Sequence, residues 1–86
     1  MPTVVIRHKV KDFNTWIKGH QDRLDLFGPV TTSLKEFQDT DDPNSVVLIA
    51  EVTDMDKLNA MMKDPAVQKK KDEHTVIDPL IISMPV

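Results

Sequence analysis

Three histidines and a single tryptophan are the side chains of this 86-residue sequence best suited to chemistry on a small molecule. Histidine changes its charge near neutral pH, so it can act as a general base without a large pKa shift. His8 lies in an alternating apolar run, and His20 lies in a helical run that also carries Trp16. Both histidines are therefore expected to point into the interior. A small molecule bound between them could give up a proton to either histidine.

We predict His20 and His8 as catalytic bases. The predicted substrate-binding residues are the apolar side chains that share their surroundings: Phe13, Trp16, Leu24, Met61 and Met62. The alternative for each histidine is a core residue that is hydrogen-bonded to a backbone carbonyl, and the aromatic and thioether side chains could be plain packing. Glu51 could orient one of the histidines. The three histidines are too far apart in sequence to predict a metal site from their spacing.

The elements that must position these residues begin with a strand over Thr3–Val10. Every second residue of this strand lies on one face, which consists of Val4, Ile6, His8 and Val10. A helix is predicted over residues 13–27, with Asp12 as its N-cap and Gly28-Pro29 as its stop. Its apolar stripe, spaced by three and four residues, is Phe13, Trp16, Ile17, His20, Leu24 and Phe27.

Two further strands are predicted at Val30–Gln38 and Val46–Val52, joined by a turn rich in aspartate at residues 39–45. In the first of them Leu34 and Phe37 are out of phase, which a bulge could reconcile. That turn is expected to be a solvated hairpin loop rather than a cation site. The second strand is apolar on both faces, which predicts a central position covered on both sides.

The second helical region starts at a cap formed by Thr53 or Asp54 and restarts at Asp64-Pro65, giving a separate short helix to about Glu73. A last strand is predicted from about Leu80 to Met84, confined by Pro79 and Pro85. The order β-α-β-β-α-β predicts a single α+β domain over residues 1–86, with a ferredoxin-like four-stranded antiparallel sheet and both helices on one face.

Composition excludes several classes of function. The net charge of −3 argues against a phosphate-backbone binder, so no nucleic-acid partner is expected. The absence of cysteine excludes thiolate metal sites and thiol catalysis, and fits the cytoplasm. No apolar run predicts a membrane span, and residues 1–10 lack the features of a signal peptide. A chain this small has a limited core, which favours a homodimer.

The residues also resemble a known family. Four features of the chain are similar to antibiotic-biosynthesis-monooxygenase-type dimeric α+β barrel proteins. They are the run Arg7-His8-Lys9-Val10-Lys11-Asp12-Phe13, the following Trp16, Asp41-Asp42-Pro43-Asn44 before a strand, and Asp64-Pro65 after a helix. The resemblance covers nearly the whole chain. It implies a homodimer whose two sheets form a barrel, with a pocket in each subunit between sheet and helices for a small hydrophobic or aromatic ligand.

The best-known members of that family oxygenate polycyclic phenols or quinols with no metal or flavin, so the resemblance implies no cofactor. Trp16 matches the family tryptophan, whereas the family's pocket tyrosine has no counterpart, because the chain contains no tyrosine. His20 replaces a residue that is more often large and apolar. His74 lies in the region from which some haem-degrading relatives take their axial ligand, but no second tryptophan or apolar slot accompanies it, which disfavours haem.

Three hypotheses about function remain open at this point. The leading one is a cofactor-independent, monooxygenase-like enzyme acting on an aromatic or polyketide-like substrate. The second is an isomerase or cyclase that uses the same acid–base residues without oxygen. The third is a dimeric ligand-binding or accessory module without catalysis. A pocket of about 300 Å³ or more containing a polar group would favour the enzymes, and a packed interior would favour the module.

Overall fold

A computed structural model describes residues 2–86 as a four-stranded antiparallel sheet with helices against one face. The strands are β1 (Thr3–Val10), β2 (Thr31–Gln38), β3 (Ser45–Val52) and β4 (Val76–Ser83), in the spatial order β2-β3-β1-β4. The helices are α1 (Phe13–Lys18), α2 (His20–Phe27), α3 (Met55–Met61) and α4 (Pro65–Glu73), and a 3-10 turn covers Gly28–Val30. The predicted ferredoxin-like fold is confirmed.

The core lies between the helices and one face of the two central strands. In β1 the predicted inward face is confirmed, since Val4, Ile6, His8 and Val10 are all buried. Opposite them in β3, Val46, Leu48, Ala50 and Val52 are also buried, and the antiparallel register pairs Ile6 with Leu48 and His8 with Val46. His8 is therefore placed in the hydrophobic core by the alternation of β1.

Aspartate caps begin three of the four helices, and those of the first and third were among the predicted caps. The Asp12 carboxylate accepts hydrogen bonds from the Asn14 amide at 3.1 Å and the Thr15 hydroxyl at 2.9 Å, and the latter bond chiefly lowers the pKa of Asp12. Asp54, rather than Thr53, caps α3 through the Lys57 amide. Asp64 caps α4 through the Ala66 amide, with Pro65 in the first turn, where a missing N–H costs nothing.

The prediction of one helix over residues 13–27 is wrong, because the helix is interrupted at Gly19. This glycine has φ −84° and ψ 7°, outside helical values, and α2 starts afresh at His20. The imidazole of His74 lies against the glycine, such that a Cβ placed there would be 2.6 Å from its Nε2. The interruption changes the helical phase, so the residues of α2 that face the core differ from those predicted by a continuous stripe.

Gly19→Ala is expected to destabilise the fold by about 1–3 kcal/mol, because the new methyl group would overlap the buried imidazole of His74. Gly28→Ala is a matched control, since nothing lies within 4 Å of its would-be Cβ and its φ of −50° suits alanine. Urea denaturation of both variants measures the difference. Equal midpoints for the two variants would contradict the close contact.

Strands β2, β3 and β4 begin at other residues than predicted, β3 by a single position at Ser45. Strand β2 begins at Thr31, and its register shift lies between Thr31 and Ser33, so it does not bring Leu34 and Phe37 onto one face. Leu34 packs on the core, and Phe37 is 48% exposed on the other face. Strand β4 begins at Val76 instead of Leu80; Pro79 is tolerated there because β4 is an edge strand with an irregular register opposite Arg7 and Lys9.

The second face of the sheet carries apolar side chains that the helices of this chain do not cover. The register places Phe37, Val47, Ile49 and Ile81 on this face, and Phe37 and Ile81 are among the exposed large hydrophobic residues. The central position of β3 is confirmed, whereas the helices cover only one of its faces. Within residues 2–86, no helix has the length and apolar character required to cross a membrane.

Candidate functional site

A cavity of about 50 Å³ lies between the sheet and helices α2 and α4. Its wall is largely apolar and includes Ile6, Leu26, Phe27, Leu48, Val67 and Leu80. The polar side chains that reach it are His8, Trp16, Asp22, Arg23, Lys70, Lys71 and His74. An apolar wall with a few polar groups is typical of small-molecule sites, although the volume is well below the usual range of about 300–1,000 Å³.

His8 lines this cavity and carries an unprotonated ring nitrogen. Its Nδ1 lies 3.0 Å from the Lys9 carbonyl oxygen, which can only accept, so the proton is on Nδ1 and the lone pair on Nε2. Among the described residues, no hydrogen bond engages Nε2. Burial lowers the pKa of His8 below its ordinary value of 6.5, against the opposing effect of the Lys9 carbonyl. At neutral pH His8 is therefore an available base.

Trp16 forms the adjacent part of the wall and supplies an unused donor. It is 1% exposed, and its indole Nε1 has no hydrogen-bond partner within residues 2–86. The His8 ring meets it edge-on at 6.0 Å between centroids, and Phe13 packs at 5.8 Å. A buried N–H without a partner costs free energy, so an acceptor that reaches it from the cavity would be bound favourably.

A buried ion pair between Arg23 and Glu36 lies against the Trp16 ring. The Arg23 guanidinium lies 4.1 Å from the Trp16 ring centroid, a cation–π contact. Its Nε and Nη2 donate to the two carboxylate oxygens of Glu36, and the Arg23 and Glu36 side chains are 6% and 3% exposed. Its Nη1 donates to His74 Nδ1 at 3.1 Å. Arg23 thus joins α2 to β2 and to the end of α4.

The expectation that His20 points into the interior is wrong. Its side chain is 44% exposed and pairs with the Glu36 carboxylate at the β2 edge, outside the cavity. The interruption at Gly19 explains the difference, because restarting the helix turns Arg23 toward the core in place of His20. Ile17, which shares the predicted stripe, is also 40% exposed.

The predicted substrate-binding residues divide into two groups. Trp16 and Met62 line the cavity. Phe13 and Met61 pack against the core without lining it, and half-buried Leu24 is likewise absent from the wall, where Leu26 and Phe27 take its place. Glu51 cannot orient a histidine of this cavity, since it lies on the opposite face of the sheet and accepts a hydrogen bond from the Thr3 hydroxyl.

The sequence reasoning missed the charged residues of the site: Asp22, Arg23, Glu36, Lys70 and Lys71. Two signals could have found part of the set. Glu36 is in phase with Leu34, so it occupies an inward position of β2 that normally carries an apolar residue. Gly19, in the middle of a helical stripe, indicated that another element comes close there.

The lowered pKa of His8 predicts a dependence of stability on pH. Below pH 6.5 the unfolded chain takes up a proton at this position while the folded chain resists it, so the free energy of unfolding is expected to decrease as the pH falls from 6.5 toward the folded-state pKa. Urea denaturation between pH 7.5 and 5 measures this slope. His8→Gln should flatten it, and an unchanged slope in that variant would contradict the assignment.

Comparison with solved structures identifies the fold. SnoaB, a cofactor-independent oxygenase from Streptomyces nogalater, matches 99% of this chain and 90% of its own at 18% identity, with a TM-score of 0.74. The match to a putative antibiotic biosynthesis monooxygenase from Bordetella bronchiseptica covers 99% of this chain and 94% of that protein at 10% identity, with a TM-score of 0.78. The match to one from Nitrosomonas europaea covers 100% of this chain and 97% of that protein at 14% identity, with a TM-score of 0.71.

Comparisons of the sequence itself find no matching family model and no matching curated protein. At 10–18% identity, the likeness to these structures is a likeness of fold. It extends over the whole sheet and all its helices, as the resemblance read from the sequence implies. The chain thus has the ferredoxin-like fold of the antibiotic-biosynthesis-monooxygenase-type proteins, and the predicted resemblance to them is confirmed.

Proposed function

We propose that this chain binds a hydroxylated aromatic molecule in the cavity between sheet and helices and oxygenates it without a metal or organic cofactor. The observation that carries the proposal is that two residues with unused hydrogen-bonding groups line one apolar cavity: His8, whose Nε2 is an available base, and Trp16, whose indole N–H has no partner within residues 2–86. A phenolic hydroxyl can donate to the first, and an oxygen on the ligand can accept from the second. The names of similarly folded proteins support the reaction class.

The chemistry assigned to His8 is removal of the hydroxyl proton. The resulting phenolate transfers an electron to molecular oxygen, and the two radicals combine to form a C–O bond at a ring carbon. The terminal peroxide oxygen takes back the proton held by His8, which gives a hydroperoxide. Loss of water from that hydroperoxide leaves a carbonyl, so a phenol and O₂ give a quinone and H₂O. The substrate is the only reductant. The Trp16 N–H stabilises the oxygen on which negative charge develops, within a cavity where a hydrogen bond is stronger than in water.

The small cavity volume favours one other candidate, a ligand-binding or accessory module without catalysis. At about 50 Å³ the cavity cannot enclose an aromatic ring system unless side chains at its edge move. Asp22 and Lys70 are the cavity-lining side chains best able to do so, since they are 54% and 44% exposed. Oxygen consumption separates this candidate, and equally an isomerase or cyclase, from an oxygenase.

Calorimetric titration with 1-naphthol is the first test of binding. We expect saturable binding to the wild type and weaker binding to the Trp16→Phe variant, because the N–H donor is lost. An oxygen electrode then follows turnover. Saturable binding without oxygen uptake across a panel of phenols and naphthols would favour the module, and no binding would refute the proposal.

The proposal includes a homodimer formed through the uncovered face of the sheet. Phe37 and Ile81 are 48% and 59% exposed there, and burial of such a face against a second copy would be favourable. Light scattering at micromolar concentration is expected to give twice the 9.8 kDa mass of one chain. Ile81→Arg should shift the mass to that of the monomer, and a monomeric wild type would refute this part of the proposal.

A further inference from the structure

The edge of the cavity between α2 and α4 holds an unusual arrangement around one carboxylate. Asp22 Oδ2 lies 3.5 Å from Lys70 Nζ and 3.5 Å from His74 Nε2. Both distances exceed the range of about 2.7–3.2 Å typical of good hydrogen bonds to oxygen. The Asp22 side chain is 54% exposed, whereas that of His74 is 8% exposed. All three residues line the cavity.

A hydrogen bond from Arg23 fixes the orientation of the His74 ring. A guanidinium can only donate, so the 3.1 Å contact between Arg23 Nη1 and His74 Nδ1 requires the lone pair on Nδ1 and the proton on Nε2. Arg23 is in turn held by both oxygens of Glu36. The Nε2–H of this buried imidazole faces Asp22 Oδ2 at 3.5 Å, with its tautomer and ring orientation set in advance. Such a donor loses little entropy when an acceptor arrives.

The Asp22 carboxylate makes only a long contact with His74 Nε2 and can rotate away from it. An exposed ion pair contributes little to stability, and water can solvate the Asp22 carboxylate once it rotates outward. Lys70 Nζ keeps a second contact, to Glu73 Oε2 at 3.6 Å, so it stays near the cavity edge. Lys70 and His74 also lower the pKa of Asp22, with Lys70 the larger cause, which shows that both favour an anion at this position.

We propose that the cavity's ligand is an aromatic acid whose carboxylate displaces Asp22 from His74 Nε2–H and Lys70 Nζ. This inference rests on the proposed binding of a hydroxylated aromatic in the cavity and names the class of ligand. The ring occupies the apolar wall, the hydroxyl meets His8, and the carboxylate lies at the α2–α4 edge. Asp22 is then an internal competitor, which closes the edge when no acid is bound.

Competition by Asp22 predicts which substitutions change the binding of acids relative to neutral analogues. Asp22→Asn removes a negative charge that opposes the incoming carboxylate, so acids should bind more tightly and neutral analogues should not. Lys70→Met removes one of the two donors and should weaken the binding of acids only. Lys69→Met is the matched control, because Lys69 is an exposed neighbour on the same helix that does not line the cavity.

The test is calorimetric titration at pH 7.5 with 6-hydroxy-2-naphthoate, whose hydroxyl and carboxylate lie on different rings, and with its methyl ester. We expect the wild type to bind the acid about tenfold more tightly than the ester, as one charge-assisted hydrogen bond permits. Asp22→Asn should tighten the acid about threefold or more, and Lys70→Met should weaken it about fivefold, while the ester changes less than about twofold throughout. Lys69→Met should alter neither.

The outcomes separate this inference from the proposed function. If acid and ester bind the wild type equally and change together in Asp22→Asn, the carboxylate subsite is refuted while binding in the cavity stands. If neither compound binds, both are refuted. If the acid alone responds to Asp22→Asn and Lys70→Met, the subsite is supported.

Discussion

Replacing Glu36 with leucine is expected to lower the free energy of unfolding by about 3–5 kcal/mol, because it leaves the buried Arg23 guanidinium without its carboxylate partner. That loss is a large part of the stability of a small domain, typically about 5–15 kcal/mol. Urea denaturation followed by Trp16 fluorescence measures it. Lys9→Met is the control: Lys9 forms an exposed ion pair with Asp42, and its loss should cost less than about 1 kcal/mol.

A double variant decides whether the charge or the packing is responsible. Arg23→Met with Glu36→Leu removes both charges and fills a similar volume with apolar groups, so most of the lost stability should return. His74 Nδ1 would lose its donor in this variant, which keeps the recovery incomplete. A double variant as unstable as Glu36→Leu would show that shape, rather than an unpaired charge, explains the effect.

Substituting His8 with glutamine is expected to reduce kcat for oxygenation of a hydroxylated aromatic about 10²- to 10⁴-fold, the usual contribution of a general base. Glutamine retains a hydrogen-bonding side chain but cannot take up the hydroxyl proton at neutral pH. Oxygen uptake with a substrate found by titration provides the measurement. Since His8 acts in its neutral form, kcat/KM of the wild type should rise with pH up to its lowered pKa and be level at pH 7.

The same measurement on His20→Gln compares the two histidines predicted as bases. His20 lies outside the cavity, paired with Glu36, so its loss should affect kcat far less than the loss of His8. Unfolding midpoints of both variants must be compared first, because each histidine contacts a structural residue. A large decrease of kcat in His20→Gln alone would restore His20 as the base and contradict the role assigned to His8.

Local sequence signals predicted the elements of this fold well. The alternation of Val4, Ile6, His8 and Val10 placed His8 in the interior, and it is buried. Asp12 was predicted as a cap, and Asp54 as one of two candidates with Thr53, because aspartate accepts from free amides of the first turn, and both aspartates do so. These features depend on residues a few positions apart, so a single sequence contains the information.

The arrangement of the site depended on contacts that no local pattern contains. The helical stripe placed His20 in the interior because it assumed an unbroken helix, whereas His74, 55 positions away from Gly19 in sequence, packs against that glycine. The pairing of Arg23 with Glu36 and His74 likewise joins distant segments. Helical periodicity identifies a face only while the helix continues, which is why Arg23 was missed.

The position of β1 in the sheet has a consequence for how the chain folds during synthesis. This strand is translated before the other three, yet it pairs with β3 on one side and β4 on the other, and β4 is the last of the four to be translated. The apolar face around Val4 and Ile6 therefore remains incompletely covered on the ribosome until residues 76–83 have emerged. Because non-local strand pairing is slow to form, the native cavity with His8 and His74 assembles only after β4 has been synthesised.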